Sequence, residues 1–123
     1  MRRVAFAPCN GMSPNGLVAR VAVGDCRRQC EDVISICMGS TAADIEGAND
    51  GMLKKQDIVA VNGCANSCVN RILENRGIDV WHTVNVGEVL SGFEVSSKDA
   101  FRLDDEGEKC VEIIKLELIK LVG

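Results

Sequence analysis

Four of the seven cysteines are placed where thiols from distant parts of the chain can meet, and they suggest metal coordination. Cys9 and Cys64 each follow a predicted strand, Cys37 lies at the end of another, and Cys68 comes four residues after Cys64. The carboxyl ends of parallel strands share one sheet edge, where α/β proteins place their chemistry. We therefore expect the four thiols to converge on one ion, as in a closed zinc site with four thiolate ligands.

The hydrophobic pattern predicts the elements that position these thiols. Short apolar runs predict four strands, over residues 3–8, 33–38, 57–61 and 79–86. Apolar residues at helical spacing predict three helices, over residues 17–30, from 64 to 75 or 76, and 106–121. Gly77 is expected to end the second of these helices. Residues 10–16 are expected to form a loop, and 39–41 a tight turn. A broken helix is expected over 42–55, a short helical turn at 89–90 and a loop over 96–105.

Strands alternating with helices are typical of the α/β class. Right-handed crossovers and short connections predict a mainly parallel four-stranded sheet in the order 2-1-3-4. Helices would cover both faces of this sheet, which makes a three-layer sandwich. The length of 123 residues fits one domain, which we predict over residues 1–123.

Cys64 and Cys68 are predicted at positions i and i+4 on one side of the same helix, where both can bind one ion. A disulfide between them is disfavoured, because the bond geometry is demanding and helical side chains run roughly parallel. At a helix N-terminus the Cys64 thiol is expected to have a lowered pKa and to ionise readily. That property also suits a thiol-based redox enzyme with Cys64 as its thiolate, which is an alternative function.

Two other interpretations of the four thiols stay open. An iron–sulfur cluster also accepts four thiolates, which would make the chain an electron carrier, although the spacing matches neither common ferredoxin pattern. Buried cysteines can equally be small hydrophobic residues at strand ends. Cys26 and Cys30 form a second C-x-x-x-C pair. They either pack in the core or have an auxiliary metal or redox role. Cys110 is expected in the core.

Composition argues against several partners. The net charge is −4 and the chain has three Phe, one Trp and no Tyr, so neither a basic surface nor stacking aromatics indicates nucleic-acid binding. Apolar runs are far shorter than the roughly 18 residues of a membrane span. The apolar stretch before Pro8 is also too short for a secretory signal. We expect a cytoplasmic protein with reduced thiols, whose partner is a metal ion.

The segment from Val61 to Cys68, with the sequence VNGCANSC, resembles the central motif of the DGC-domain proteins, small proteins of bacteria and archaea to which zinc binding is ascribed. That motif is Asp-Gly-Cys followed by three residues and another cysteine. The early Cys9-Asn10-Gly11 and the segment Cys37-Met38-Gly39 are similar to the family's other cysteine positions. The resemblance covers most of the first 80 residues and implies Cys9, Cys37, Cys64 and Cys68 as zinc ligands. It implies a site and not a reaction.

Asn62 departs from this motif, because the family usually has Asp there. The exchange removes a carboxylate from beside the site and with it any acid–base role of that position. An Asn side chain can still accept hydrogen bonds from backbone N–H groups, so we expect the turn to be retained.

Overall fold

A parallel sheet of four strands forms the centre of the molecule. The computed structural model describes residues 4–9, 11–43, 56–63 and 66–122. The strands are β1 (Val4–Pro8), β2 (Val33–Ser35), β3 (Asp57–Asn62) and β4 (His82–Asn85). Their order is β2-β1-β3-β4, which confirms the predicted order and the α/β class.

The register brings the carboxyl ends of β1 and β3 together at the middle of the sheet. Val4 lies opposite Val33 of β2 on one side and Asp57 of β3 on the other, and Pro8 lies opposite Val61. β1 is a central strand, and its first four side chains are fully buried. The chain leaves β1 toward β2 and leaves β3 toward β4, so the topology changes direction between the two central strands. That is the crevice where α/β proteins bind ligands.

Helices cover both faces of the sheet. They are α1 (Pro14–Gln29), α2 (Met38–Ala42), α3 (Cys68–Asn75), α4 (Val86–Leu90) and α5 (Asp105–Val122). Right-handed crossovers in opposite directions put α1 and α3 on opposite faces. The long helix α5 packs on α1, and α2 contacts α3. The largest side chains of the core come from both layers and the sheet: Phe6, Ile58, Leu73, Ile114 and Leu118.

Helix α1 begins three residues earlier than predicted, within the segment 10–16 expected to be a loop. Ser13 is its N-cap, and the Ser13 Oγ accepts a hydrogen bond of 3.0 Å from the Gly16 backbone N–H. Pro14 follows at the first helical position, where its fixed φ and missing N–H are tolerated. The local signal for this start, a Ser-Pro pair, was available in the sequence.

The second strand is shorter than predicted, and the turn predicted at residues 39–41 is wrong. β2 ends at Ser35, and α2 begins at Met38. The Thr41 N–H donates to the Cys37 carbonyl and the Ala43 N–H to the Gly39 carbonyl, which are helical bonds. Helix α2 forms although Gly, Ser and Thr have weak helix propensity. Its first residue, Met38, is buried in the core. Most of the predicted broken helix over 42–55 lies outside the described residues.

The remaining boundaries shift by a few residues. Gly77 follows the end of α3 with a φ of 71°, as expected of a glycine that terminates a helix. β4 is shorter than the predicted strand, because Asn85 starts α4 by accepting a 3.0 Å hydrogen bond from the Glu88 N–H. In the part of the chain described, no helix combines the length and the apolar character needed to cross a bilayer.

Candidate functional site

Cys9 and Cys68 line the same cavity at the carboxyl edge of the sheet. Its volume is about 360 Å³. It is lined by Cys9, Gly11, Met12, Ser13, Met38, Cys68, Val69 and Ile72. These residues come from the loop after β1, from α2 and from the first turns of α3. Two thiols that are remote in sequence therefore open into one largely apolar space.

Cys9 is held rigidly beside the central strands. It directly follows β1, and its backbone N–H donates a 2.8 Å hydrogen bond to the Val61 carbonyl of β3. Its side chain is only 5% exposed. The Cys9 sulfur accepts a hydrogen bond of 3.3 Å from the Gly11 N–H. A backbone donor directed at sulfur is a typical outer contact of a metal ligand, so this environment suits a metal-bound sulfur.

Cys37 lies between β2 and α2, next to the cavity. It is exposed, and its neighbour Met38 lines the cavity whereas Cys37 itself does not. The Cys37 carbonyl accepts hydrogen bonds from the Thr41 backbone N–H at 3.1 Å and from the Thr41 Oγ1 at 2.8 Å. These bonds fix the backbone at Cys37 as the start of α2. Cys37 is thus one residue away from the space shared by Cys9 and Cys68.

Cys64 lies outside the described residues, and the helix predicted to start there starts at Cys68 instead. Asn66 is in a turn, and Ser67 adopts a left-handed conformation with a φ of 52° immediately before α3. Cys64 and Cys68 are therefore not positions i and i+4 of one helix, and that expectation is wrong. Cys68, which is exposed, occupies the helix start that was assigned to Cys64.

Asn62 explains where α3 begins. Its side chain is 1% exposed, and its Oδ1 accepts a 3.1 Å hydrogen bond from the Val69 N–H. The Asn62 Nδ2 donates to the Asn70 Oδ1 at 2.5 Å, and the Asn70 Nδ2 donates to the Thr83 Oγ1 at 2.9 Å. This chain of hydrogen bonds ties the first turn of α3 to β3 and β4. The expected role of Asn62 as an acceptor for backbone N–H groups is confirmed.

Gly63, the residue that follows β3, lies directly against the start of α1. A Cβ at Gly63 would lie 2.6 Å from the Gly16 backbone N and 2.7 Å from its Cα. Contacts this short cannot be relieved by turning a side chain, because both atoms belong to the backbone. Close backbone approach is therefore the physical reason for glycine before Cys64.

The described residues bring together a pair of thiols and two methionines. Among the residues of the described ranges, no group of three or more His, Cys, Asp or Glu side chains is arranged to hold a metal ion. Met12 and Met38 line the cavity with Cys9 and Cys68, and sequence analysis did not single them out. The available signal for Met12 was its place in a polar loop three residues after Cys9.

Cys26 and Cys110 differ from the cavity cysteines because they are buried in the core. The Cys26 sulfur lies 3.9 Å from the Lys115 carbonyl oxygen on α5. Burial, with a smaller effect of nearby Cys30, raises the pKa of Cys26 to about 11. Burial also raises the pKa of Cys110, with further effects of Glu106 and Asp104. These two residues stay protonated at neutral pH, which fits the core-packing interpretation.

Comparison with known proteins identifies the family of this chain. A family model of the DGC domain matches residues 5–114, which is most of the sequence and includes all four predicted ligand positions. No match was found among curated proteins or among solved structures. The match extends beyond the first 80 residues that carry the motif resemblance, into helix α5. The chain therefore belongs to the DGC domain family.

Proposed function

We propose that this protein binds zinc through Cys9, Cys37, Cys64 and Cys68, at the carboxyl edge of its parallel sheet. The metal ion is its partner, and the role is structural or one of metal handling in the cytoplasm. Zinc takes four thiolates tetrahedrally, with zinc–sulfur distances near 2.3 Å. A shell closed by four protein ligands is typical of sites that stabilise structure rather than sites that carry out a reaction.

One observation carries the proposal: Cys9 and Cys68 line one cavity although they lie 59 positions apart in the sequence. The N–H of Gly11 directed at the Cys9 sulfur supports it, because such a donor stabilises a ligated thiolate. Cys37 precedes a residue of the same cavity wall, and Cys64 is joined to Cys68 by only three residues. The residues present therefore fit a thiophilic metal.

Metal bound by these cysteines would link three segments that are far apart in the sequence. Cys9 belongs to the loop after β1, Cys37 to the connection between β2 and α2, and Cys68 to the start of α3. When bound, zinc supplies cross-links between these segments, and its binding free energy adds to the stability of the fold. Binding requires thiol deprotonation, so affinity falls as the pH is lowered.

A second candidate function is supported by the position of Cys68. It is exposed and begins α3, and a helix N-terminus favours negative charge because its first N–H groups lack helical partners. A thiol-based redox enzyme would use such a residue as its nucleophile, in place of the Cys64 thiolate first expected. An iron–sulfur electron carrier is the third candidate.

Elemental analysis of protein purified without chelators or a histidine tag tests the proposal. We expect about one zinc ion per chain and no visible absorption. A coloured protein containing iron and sulfide would favour the electron carrier. Protein without metal whose Cys68 is alkylated rapidly at neutral pH would favour the thiol enzyme and contradict zinc binding.

A further inference from the structure

We propose that the cavity also binds copper(I), and that the thioether sulfur of Met12 is a ligand for copper but not for zinc. This inference rests on the proposed function, since it uses Cys9 and Cys68 as metal ligands. It adds a second metal of different chemistry and a residue that the four-cysteine site does not include.

The walls of the cavity contain four sulfur-bearing side chains. Cys9 and Cys68 contribute thiols, and Met12 and Met38 contribute thioethers. The other side chains that line it are small or apolar, apart from the hydroxyl of Ser13, which caps α1. Soft thiolate and thioether ligands select soft ions, of which copper(I) is the main one to use both. Zinc sites in proteins use thiolate, imidazole and carboxylate ligands.

Met12 lies at this cavity without the burial expected of a core methionine. Its side chain is 67% exposed, whereas Met38 is 4% exposed. The backbone on both sides of Met12 is fixed, because the Gly11 N–H donates to the Cys9 sulfur and the Ser13 side chain caps α1. Its side chain therefore lines the cavity that Cys9 also lines, while it remains accessible. Packing in the core does not account for this placement, and ligation of a soft ion does.

Met38 forms the inner wall of the same cavity. It precedes Gly39 at the start of α2 and is buried, so packing in the core positions its side chain. The described part of the cavity lining contains no carboxylate or imidazole side chain, so sulfur atoms are its main potential ligands. The described cavity thus offers copper(I) two thiolates and up to two thioethers.

The test compares copper(I) and zinc affinities of methionine variants. Metal-free protein is prepared without oxygen in the presence of a reductant, and it competes with the chromophoric ligand bicinchoninate for copper(I). A chromophoric zinc chelator measures zinc affinity in parallel. The variants are Met12→Leu and Met38→Leu, which keep the side-chain size and remove sulfur. Leu116→Met is the matched control, because Leu116 is 60% exposed on α5, outside the cavity lining.

We expect Met12→Leu to weaken copper(I) binding about tenfold while zinc affinity changes by less than about twofold. Met38→Leu should weaken copper(I) binding in the same sense, and Leu116→Met should leave both affinities unchanged. Equal copper(I) affinity in wild type and Met12→Leu would overturn the proposal, as would equal losses of both metals. Cys68→Ser separates this inference from the zinc proposal. Unchanged zinc affinity in that variant contradicts zinc binding at Cys68, and unchanged copper(I) affinity contradicts the copper site.

Discussion

Cysteines occupy two regions of this molecule that differ in burial, in backbone setting and in the chemistry open to sulfur. At the carboxyl edge of the sheet, Cys37 and Cys68 are exposed, and the buried Cys9 sulfur accepts a backbone hydrogen bond. Between α1 and α5, Cys26 is fully buried, as is Cys110 on α5, and burial raises the pKa of both. Residue type alone does not identify a metal ligand. Position at the carboxyl edge of the sheet, and the exposure of Cys37 and Cys68, distinguish the first region from the second.

The largest expected difference between the two regions is seen with cysteine-to-serine variants in the presence of zinc. Cys68→Ser should lose most of the stabilisation that zinc gives, which is about 4 kcal/mol at a free zinc concentration a thousand times Kd. Without metal, the same change should shift the unfolding free energy by no more than about 0.5 kcal/mol, because Cys68 is exposed. Metal content and denaturant unfolding, each with and without zinc, measure both effects.

Cys110→Ser is the matched variant from the other region. It places a hydroxyl in the core and should lower the unfolding free energy by about 1–3 kcal/mol with or without metal. Its zinc content should equal that of wild type. Equal loss of zinc in the Cys68 and Cys110 variants would remove the distinction between the two regions.

A substitution at Gly63 tests the close approach of two backbone segments at the carboxyl edge. Gly63→Ala places a Cβ within 2.7 Å of two Gly16 backbone atoms and should destabilise the protein by about 1–3 kcal/mol. It should also weaken zinc binding, since Gly63 directly precedes the proposed ligand Cys64. The control is Gly24→Ala, because a Cβ at Gly24 meets no heavy atom within 4 Å. That change should stabilise α1 by about 0.5–1 kcal/mol. Similar effects of both variants on urea unfolding would contradict the contact.

The hydrogen-bond chain from Asn62 to Thr83 predicts a graded response. Asn62→Ala leaves the buried Val69 N–H without its acceptor and should reduce the unfolding free energy by about 2 kcal/mol. Thr83→Val removes only the exposed outer end and should reduce it by about 0.5 kcal/mol. Amide hydrogen exchange at the start of α3 should be faster only in the Asn62 variant. Equal exchange rates in both variants would show that Asn62 does not hold that helix start.

The smallest predicted effect concerns the stability of the metal-free protein at alkaline pH. A pKa of about 11 for Cys26, against 9.0 for an ordinary thiol, means that the folded state holds this proton more tightly than the unfolded state. The resulting stability is complete below pH 9 and is lost as the pH rises toward 11. Wild type should therefore lose about 1 kcal/mol from Cys26 between pH 8 and pH 10.

Cys26→Ala isolates this contribution, because alanine does not titrate. The variant should be less stable at pH 8, since it leaves a small gap in the core, yet its stability should decline less steeply with pH. Urea unfolding at several pH values between 8 and 10 measures the slopes. Parallel slopes in the two proteins would contradict the raised pKa.

The sheet could be predicted from sequence because its signal is local and strong. Continuous apolar runs at β1 and β3 indicate strands covered on both faces, and handedness rules then restrict the strand order. The start of α1 was missed although Ser13 and Pro14 mark it locally. The start of α3 could not be predicted from local pattern, because it depends on the side chain of Asn62, seven residues before Val69.

The sequence could predict those site residues whose position follows from the strand order. Cys9 was expected at the carboxyl edge because a predicted strand ends there, and Cys68 because a predicted helix begins close to it. The structure places both in one cavity. Met12 and Met38 were not expected, because methionine in a sequence does not distinguish core packing from a cavity wall. Their placement depends on the conformation of the loop after β1 and on α2, where the pattern predicted a strand end at Met38 and a turn at 39–41.

The central claim is that Cys9, Cys37, Cys64 and Cys68 share one zinc ion, and alkylation of each thiol followed by mass spectrometry tests it most directly. With zinc bound and at neutral pH, we predict that all four thiols resist alkylation. Adding a chelator should make Cys37 and Cys68 react rapidly. Cys26 and Cys110 should resist alkylation with and without zinc until the protein is unfolded. Alkylation of Cys37 and Cys68 at the same rate with and without zinc would contradict the account.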